Sequence, residues 1–270
     1  MTKLIFLGSG SAFTVGTDNF QSNILIVNEQ NQKLLVDCGT DIRFSLHQAG
    51  FSHLDITDIY ISHLHADHVG GLEYIALSTF FDPRCQRPRL YTSKDIASDL
   101  WDRTLSGGLR FISGEIAELE SFFAMEKLKY EGSFFWQGIE FQLVTVTHVD
   151  SGYYLMPSYG LFFEVEGVKI FLTTDTQLVL HQNRRFYEEA DLIFHDCETS
   201  LYPSPVHASY KQLTKLPNSL KNKMWLYGYQ PTVLPDAEKD GFLGFVKRGQ
   251  IFEFSALESV VSYQPSVVSY

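Results

Sequence analysis

The chain has 270 residues, 44% of them hydrophobic, with 21 Lys and Arg against 32 Asp and Glu for a formal net charge of −11. That content can bury a large core, and the charge disfavours long nucleic acid, whose affinity for proteins comes largely from Lys and Arg neutralising phosphates. No apolar run of about 18 residues occurs, and Met1-Thr2-Lys3 leads straight into a strand-like segment without the regions of an export signal, so we expect a cytoplasmic protein without a membrane span.

In chain order, strand-like segments at 3–7, 23–28 and 33–38 precede a helix at 41–49 ended by Gly50. A buried strand at 58–62 runs into His63-Leu64-His65-Ala66-Asp67-His68, and Val69-Gly70-Gly71 turns the chain into an apolar stretch at 72–81. Thr92-Ser93-Lys94-Asp95 offers capping groups for a helix with apolar spacing through 96–101, which Gly107-Gly108 is expected to close. Basic clusters at 84–89 and 221–223 are short and read as solvated loops. A second series starts with strands at 139–146, 160–166 and 168–173, the last two joined by the hairpin signal Glu166-Gly167. Short apolar runs at 190–194 and 223–227 read as buried strands.

This is an α/β layout, expected as one domain of two αβ halves, about 1–138 and 139–258, with an aperiodic tail at 259–270. Phe122-Phe123, Phe134-Phe135-Trp136 and Tyr153-Tyr154 read first as core, with a substrate cleft or dimer interface as the alternative. The cysteines Cys38, Cys85 and Cys197 form no C-x-x-C pair, so reduced thiols are expected.

Three imidazoles and a carboxylate between His63 and His68, at a strand end entering a helix, are the donors that zinc and similar divalent ions take. Four candidate ligands in so short a stretch suit two metals better than one. Two ions need further ligands and a bridging carboxylate. Later strands supply them by ending at His148, at Asp175 and at His195-Asp196-Cys197-Glu198, with His207 following. His47, His53 and His181 lack such context and read as surface or packing residues.

Taken in order, Gly8-Ser9-Gly10-Ser11, Asp37-Cys38-Gly39, the H-x-H-x-D-H motif, His148, Asp175 and the block from His195 make the chain resemble the metallo-β-lactamase-fold hydrolases. The branch it is similar to is that of ribonuclease Z, over nearly the whole chain. The resemblance implies a four-layer αββα sandwich with metals at one edge: His63, His65 and His148 on one ion, Asp67 and His68 on the other, Asp175 bridging. These donors accept zinc, manganese and iron.

One position departs from that branch, which ends its last core strand on a histidine ligand where Trp225-Leu226-Tyr227-Gly228-Tyr229 carries Gly228. Three explanations compete: His207 supplies the ligand, the second site is weak or empty, or the chain is a variant. A histidine restored at 228 is expected to raise metal content if the site is incomplete. In ribonuclease Z-like proteins a histidine placed like His207 serves near the leaving group, so the preferred reading is His207 as general acid, oriented by Glu198 or Asp196, with Asp67 as ligand and proton acceptor.

Two ions sharing a water lower its pKa towards neutrality, which predicts a phosphodiesterase. Members of the branch that process tRNA commonly carry a long arm between the ligand histidine and the bridging aspartate, but only 26 residues separate His148 from Asp175. The chain is thus similar to the compact members, among them cyclic-nucleotide phosphodiesterases and phage anti-Pycsar enzymes. A 3′,5′-cyclic nucleotide is the first substrate expected. The alternatives are an RNA 3′-processing nuclease, another hydrolysis on the same scaffold, and a metal-deficient nucleotide-binding protein. Relatives often form dimers whose subunits share a pocket, which makes the segment near Phe134 a candidate homodimer contact.

Overall fold

A computed structural model describes residues 1–16 and 18–255, so the tail expected at 259–270 lies outside the described residues. In chain order the strands are β1 (Thr2–Phe6), β2 (Ile24–Val27), β3 (Lys33–Val36), β4 (Asp58–Tyr60) and β5 (Arg89–Ser93). A small hairpin of β6 (Phe111–Ile112) and β7 (Glu115–Ile116) precedes β8 (Ala124–Leu128), β9 (Ser133–Trp136), β10 (Ile139–Thr145), β11 (Tyr159–Val165) and β12 (Val168–Leu172). The last four are β13 (Leu192–Asp196), β14 (Met224–Tyr227), β15 (Gly244–Phe245) and β16 (Ile251–Phe254).

Two seven-stranded sheets result, ordered β16-β1-β2-β3-β4-β5-β8 and β15-β14-β13-β12-β11-β10-β9. Helices such as Ile42–Gln48, Leu72–Phe81 and Leu180–Glu189 cover their outer faces, giving the four-layer αββα sandwich. β2 and β3 are buried at every position, as strands covered on both faces should be, and apart from Lys33 they are apolar. Along β12 and β13 the two faces separate: Ile170, Leu172, Leu192 and Phe194 enter the core between the sheets, whereas Phe171 and Ile193 pack outward with Tyr187 and Leu213. Phe194 contacts Phe6 and Phe252 at ring-centroid distances of 5.2 and 4.8 Å. Truncation by Phe194→Ala should cost about 3–5 kcal/mol, measured by denaturant unfolding; an unchanged midpoint would contradict this packing.

The sheets do not divide the chain at residue 138. β9 lies before that point yet pairs with β10 through a short hairpin, because adjacent antiparallel strands need only a tight turn. β16 lies far beyond it and returns to pair with β1, covering what would otherwise be an open edge. A second difference concerns Gly107-Gly108, which do not end a helix. Helix Lys94–Asp99 continues through a π-helical turn, Leu100–Leu105, into Ser106–Leu109. A Cβ at residue 108 would lie 2.2 Å from Glu73 Oε2, so the small residue leaves room for that carboxylate.

The expected Glu166-Gly167 turn joins β11 to β12 with Val165 opposite Val168. Phe122, Phe123, Phe134 and Trp136 are core residues, and Phe134 stacks on Tyr91 at 4.4 Å. Phe134 is therefore no surface contact, whereas Phe135, Tyr153 and Tyr154 are exposed. The three cysteines are free. Among the described residues no helix is long and apolar enough to cross a membrane.

Strand direction places the functional residues. β3 and β4 run parallel, as do β12, β13 and β14, and β10, reversed twice through β11, runs with β12. The residues that follow these strands gather at one edge of the sandwich, where open α/β sheets bind ligands.

Candidate metal centre

After β4 the chain passes Ile61-Ser62 to His63, and His65 forms the N-cap of the short helix Ala66–Val69, which carries Asp67 and His68. His148 follows β10 and Asp175 follows β12. His65 Nδ1 lies 3.1 Å from His63 Nε2 and 3.0 Å from His148 Nε2. Asp175 Oδ2 lies 3.9 and 3.8 Å from the same two ε nitrogens. One ligand atom from each of the four residues falls within 4.8 Å of the others.

Their hydrogen bonds fix which ring nitrogens face inward. His148 donates from Nδ1 to the Val206 carbonyl at 2.8 Å, and His63 donates from Nδ1 to Ser62 Oγ at 3.0 Å. Each Nε2 is thereby left with its lone pair toward the centre. Burial, reinforced by the neighbouring histidines, holds His63 far below the usual imidazole pKa, and burial lowers His65 as well. Neutral imidazoles with converging lone pairs repel one another unless a cation lies between them. Tetrahedral zinc holds nitrogens at about 2.0–2.1 Å, placing two of them roughly 3.4 Å apart, so the cluster fits an ion after a slight expansion.

A second group adjoins the first. His68 Nε2 is 3.2 Å from both Asp67 Oδ2 and Asp175 Oδ2, while its Nδ1 donates to Asp37 Oδ2 at 2.7 Å. Burial opposes a charge on His68, but Asp175, Asp67 and Asp37 outweigh it and push its pKa far up. The Nε2 proton thus sits between two carboxylates where a cation would serve the same purpose. Burial likewise opposes ionisation of Asp175, and His68 with His207 and His63 holds it well below the usual carboxylate range. Asp175 belongs to both groups, the position expected of a bridging ligand.

A third group joins Asp175 to Asp196 and His207. His207 donates from Nδ1 to Asp196 Oδ2 at 2.7 Å, and the same oxygen accepts the Thr176 N–H at 2.9 Å. Burial disfavours the imidazolium, yet the Asp196 carboxylate outweighs it and raises His207 to about 10. Of the two acids considered for orienting His207, Asp196 makes the contact. Glu198 does not, because the chain has left β13 and its carboxylate turns to the Ser204 N–H and hydroxyl at 2.7 and 3.1 Å. Glu198 therefore holds the loop that carries His207. His195 points away, accepting from Tyr187 at 2.6 Å, and burial lowers it to about 4.

Residue 228 has no room for the ligand expected there. Gly228 has φ +78°, and a Cβ on it would lie 2.7 Å from Asp196 Oδ1. The expectation that a restored histidine raises metal content meets this obstacle. Gly228→His should instead destabilise the fold by roughly 1–3 kcal/mol through backbone strain and crowding, with no gain in bound metal. Thermal unfolding and elemental analysis of the variant check both statements, and a gain in metal at unchanged melting temperature would refute them.

Two contributors were not singled out by sequence reasoning. In the sequence Asp37 is part of the Asp37-Cys38-Gly39 block with no ligand-orienting role assigned, and Ser62 is a strand end, yet their hydrogen bonds orient His68 and His63. The available signal was the position of Asp37 directly after a strand. A separate trio of His53, Asp82 and Cys85 lies elsewhere, but Arg84 and His53 already fill the Asp82 oxygens.

A sandwich of two mixed sheets with His and Asp clustered at one edge defines the metallo-β-lactamase fold. A crystal structure of the metallo-β-lactamase fold protein YhfI from Bacillus subtilis superposes with TM-score 0.70 at 14% identity, over 94% of this chain and 100% of that one. That of human tRNase Z, short form, does so with TM-score 0.67 at 18% identity, over 93% and 98%. Residues 2–252 match the family described as anti-Pycsar protein Apyc1, and the chain belongs to that family. It is 32% identical over 260 residues to the Apyc1 of Bacillus phage vB_BveM-Goe7, covering 92% of this chain and 97% of the relative.

Proposed function

We propose that the chain is a metal-dependent phosphodiesterase that hydrolyses a small phosphodiester, a 3′,5′-cyclic nucleotide above all. The observation that carries this reading is the His207–Asp196 pair beside Asp175, the carboxylate shared by both ligand groups. A proton donor adjoining a two-ion cluster is what cleavage of a phosphate ester with a poor leaving group requires. Membership of the anti-Pycsar family and the resemblance to cyclic-nucleotide phosphodiesterases support the substrate class.

His63, His65 and His148 would hold one divalent ion, zinc being the first choice, and Asp67 and His68 a second, with Asp175 shared. When bound, such ions polarise phosphoryl oxygens and lower the pKa of water. The protein's own groups then manage the protons. A water oxygen adds to phosphorus and the bond from phosphorus to the ribose oxygen breaks. Asp67 accepts the water proton, and His207, its Nδ1 anchored on Asp196, donates the Nε2 proton to the departing oxygen. The product is a nucleoside monophosphate, and exchange with solvent restores both groups. Positive charge at Asp175 would offset part of the rise in the His207 pKa, bringing the donor towards the working pH.

Zinc or manganese stoichiometry, with turnover of bis(p-nitrophenyl) phosphate, the cyclic monophosphates of A, G, C and U, and a pre-tRNA under one set of conditions, tests the proposal. Two equivalents of metal and turnover of at least one cyclic nucleotide are expected. Cleavage confined to pre-tRNA would replace the substrate with RNA, and failure to bind metal or turn over any phosphodiester would leave a nucleotide-binding protein.

A further inference from the structure

A second set of metal donors lies at the opposite end of β4 from His63. The segment Asp82-Pro83-Arg84-Cys85 is a turn closed by the Cys85 N–H on the Asp82 carbonyl at 2.9 Å, and Pro83 presets its own φ there. The first and last residues of such a turn stand close together, so Asp82 and Cys85 offer a carboxylate and a thiol side by side. The helical turn His53–Asp55, held by a capping box between Ser52 and Asp55, brings the third donor from 29 residues before Asp82. His53 Nε2 lies 3.1 Å from Asp82 Oδ2, and one donor atom from each of His53, Asp82 and Cys85 falls within 4.8 Å of the others. Tetrahedral zinc sets nitrogen, oxygen and sulfur ligands roughly 3.4–3.6 Å apart, so the trio needs only a small adjustment about an ion.

We propose that His53, Asp82 and Cys85 form a further binding site for a divalent ion of the zinc class, separate from the clusters at the strand ends. Imidazole, carboxylate and thiolate are zinc donors, and a thiolate favours zinc over magnesium or calcium. Arg84 does not stand in the way. A carboxylate has about four lone-pair positions. Arg84 N and Nε take Oδ1 at 3.0 and 2.9 Å, and Nη2 takes Oδ2 at 2.6 Å, which leaves the remaining position to His53 Nε2. An ion that replaces the His53 proton occupies that position, and the three Arg84 bonds then orient the ligating carboxylate, as hydrogen bonds to metal ligands commonly do. Binding releases the Cys85 thiol proton to solvent, and His53 keeps its proton on Nδ1. Ser78, Phe81 and Pro83 border the same surface depression, so the last coordination position goes to water. The ion would tie the connection between helix Leu72–Phe81 and β5 to the chain ahead of β4, which is a structural role. The His53 and Asp82 side chains are 22% and 13% exposed, against 0% for His63 and His148, so this is the weaker site and fills after the strand-end clusters.

Cobalt titration of the full chain tests this. A thiolate ligand adds a sulfur-to-cobalt charge-transfer band in the near ultraviolet, and the strand-end donors, all nitrogen and oxygen, add none. The band should appear in wild type and vanish in Cys85→Ser. In His53→Ala its apparent affinity should fall at least about 10-fold, since even the outer partners of metal ligands are worth 10–100-fold. His63→Ala should keep the band while losing metal at the strand ends. Cys85→Ser should leave turnover of a cyclic nucleotide unchanged, and excess zinc should raise the melting temperature of wild type more than that of this variant. No band at saturating cobalt overturns the proposal, as does a band that persists in Cys85→Ser or holds its affinity in His53→Ala. Should His53→Ala fail to fold, Cys85→Ser decides. Lost turnover in Cys85→Ser would overturn the structural role. A wild type with the band and no metal at the strand ends would keep this site and remove only the other.

Discussion

Asp175→Ala is expected to abolish turnover of cyclic nucleotides, with a loss of at least about 10³-fold in kcat, and to lower bound zinc below two equivalents. No other residue belongs to as many of the ligand groups among the described residues: it stands with His63, His65 and His148, with Asp67 and His68, and with Asp196 and His207. On the proposed two-ion reading, removing its charge would take away the carboxylate shared by the two groups and leave the ions to repel each other. It also leaves His68 and His207 without one of the carboxylates that favour their protonated forms. Steady-state kinetics with elemental analysis read both effects. Activity within tenfold of wild type at two equivalents of metal would remove Asp175 from the bridging position.

His207→Ala should lower kcat for a cyclic nucleotide by about 10²–10⁴-fold, the usual contribution of a general acid, and leave bis(p-nitrophenyl) phosphate nearly unaffected. Nitrophenolate departs without being protonated, whereas a ribose oxygen does not. Comparison of the two substrates thus isolates proton donation from metal binding, and equal losses on both would make His207 a ligand instead. The sign of the pH effect follows from the Asp196 contact. The folded pKa of His207 is raised to about 10, above its ordinary value of 6.5, so any stability from the pair is present below that ordinary value. It fades as pH rises towards about 10. The same deprotonation removes the donor, so kcat for the cyclic nucleotide should fall on the alkaline side. Asp196→Asn should move that limb to lower pH, and a limb that stays in place would show that another group produces it.

How much of this site could be read from the chain varies by residue. His63, His65, Asp67 and His68 are legible because they occupy one short stretch at a strand end, where local geometry alone brings them together. His148 and Asp175 are legible as donor residues terminating apolar strands. The choice between Asp196 and Glu198 is not, since one ends β13 and the other lies two residues beyond it, and only the course of the 200–207 loop turns one toward His207 and the other toward Ser204. Gly228 was recognised as a missing ligand, but its crowding by Asp196 depends on how β13 and β14 lie side by side. β16 carries no mark of its partner, because pairing with β1 is settled by an open edge nearly the whole chain away.

The sequence by itself determined the chemistry on offer: the donor types, their places at strand ends, and the alternation of strand and helix that carries them to one edge. These follow from covalent order and from hydrophobic periodicity, which act over a few residues at a time. Only the tertiary structure decided how the donors are used. The bonds from His68 to Asp37, from His207 to Asp196 and from His148 to Val206 join segments 11 to 58 residues apart. Such bonds select a tautomer through distance and direction in space, and no local pattern encodes either.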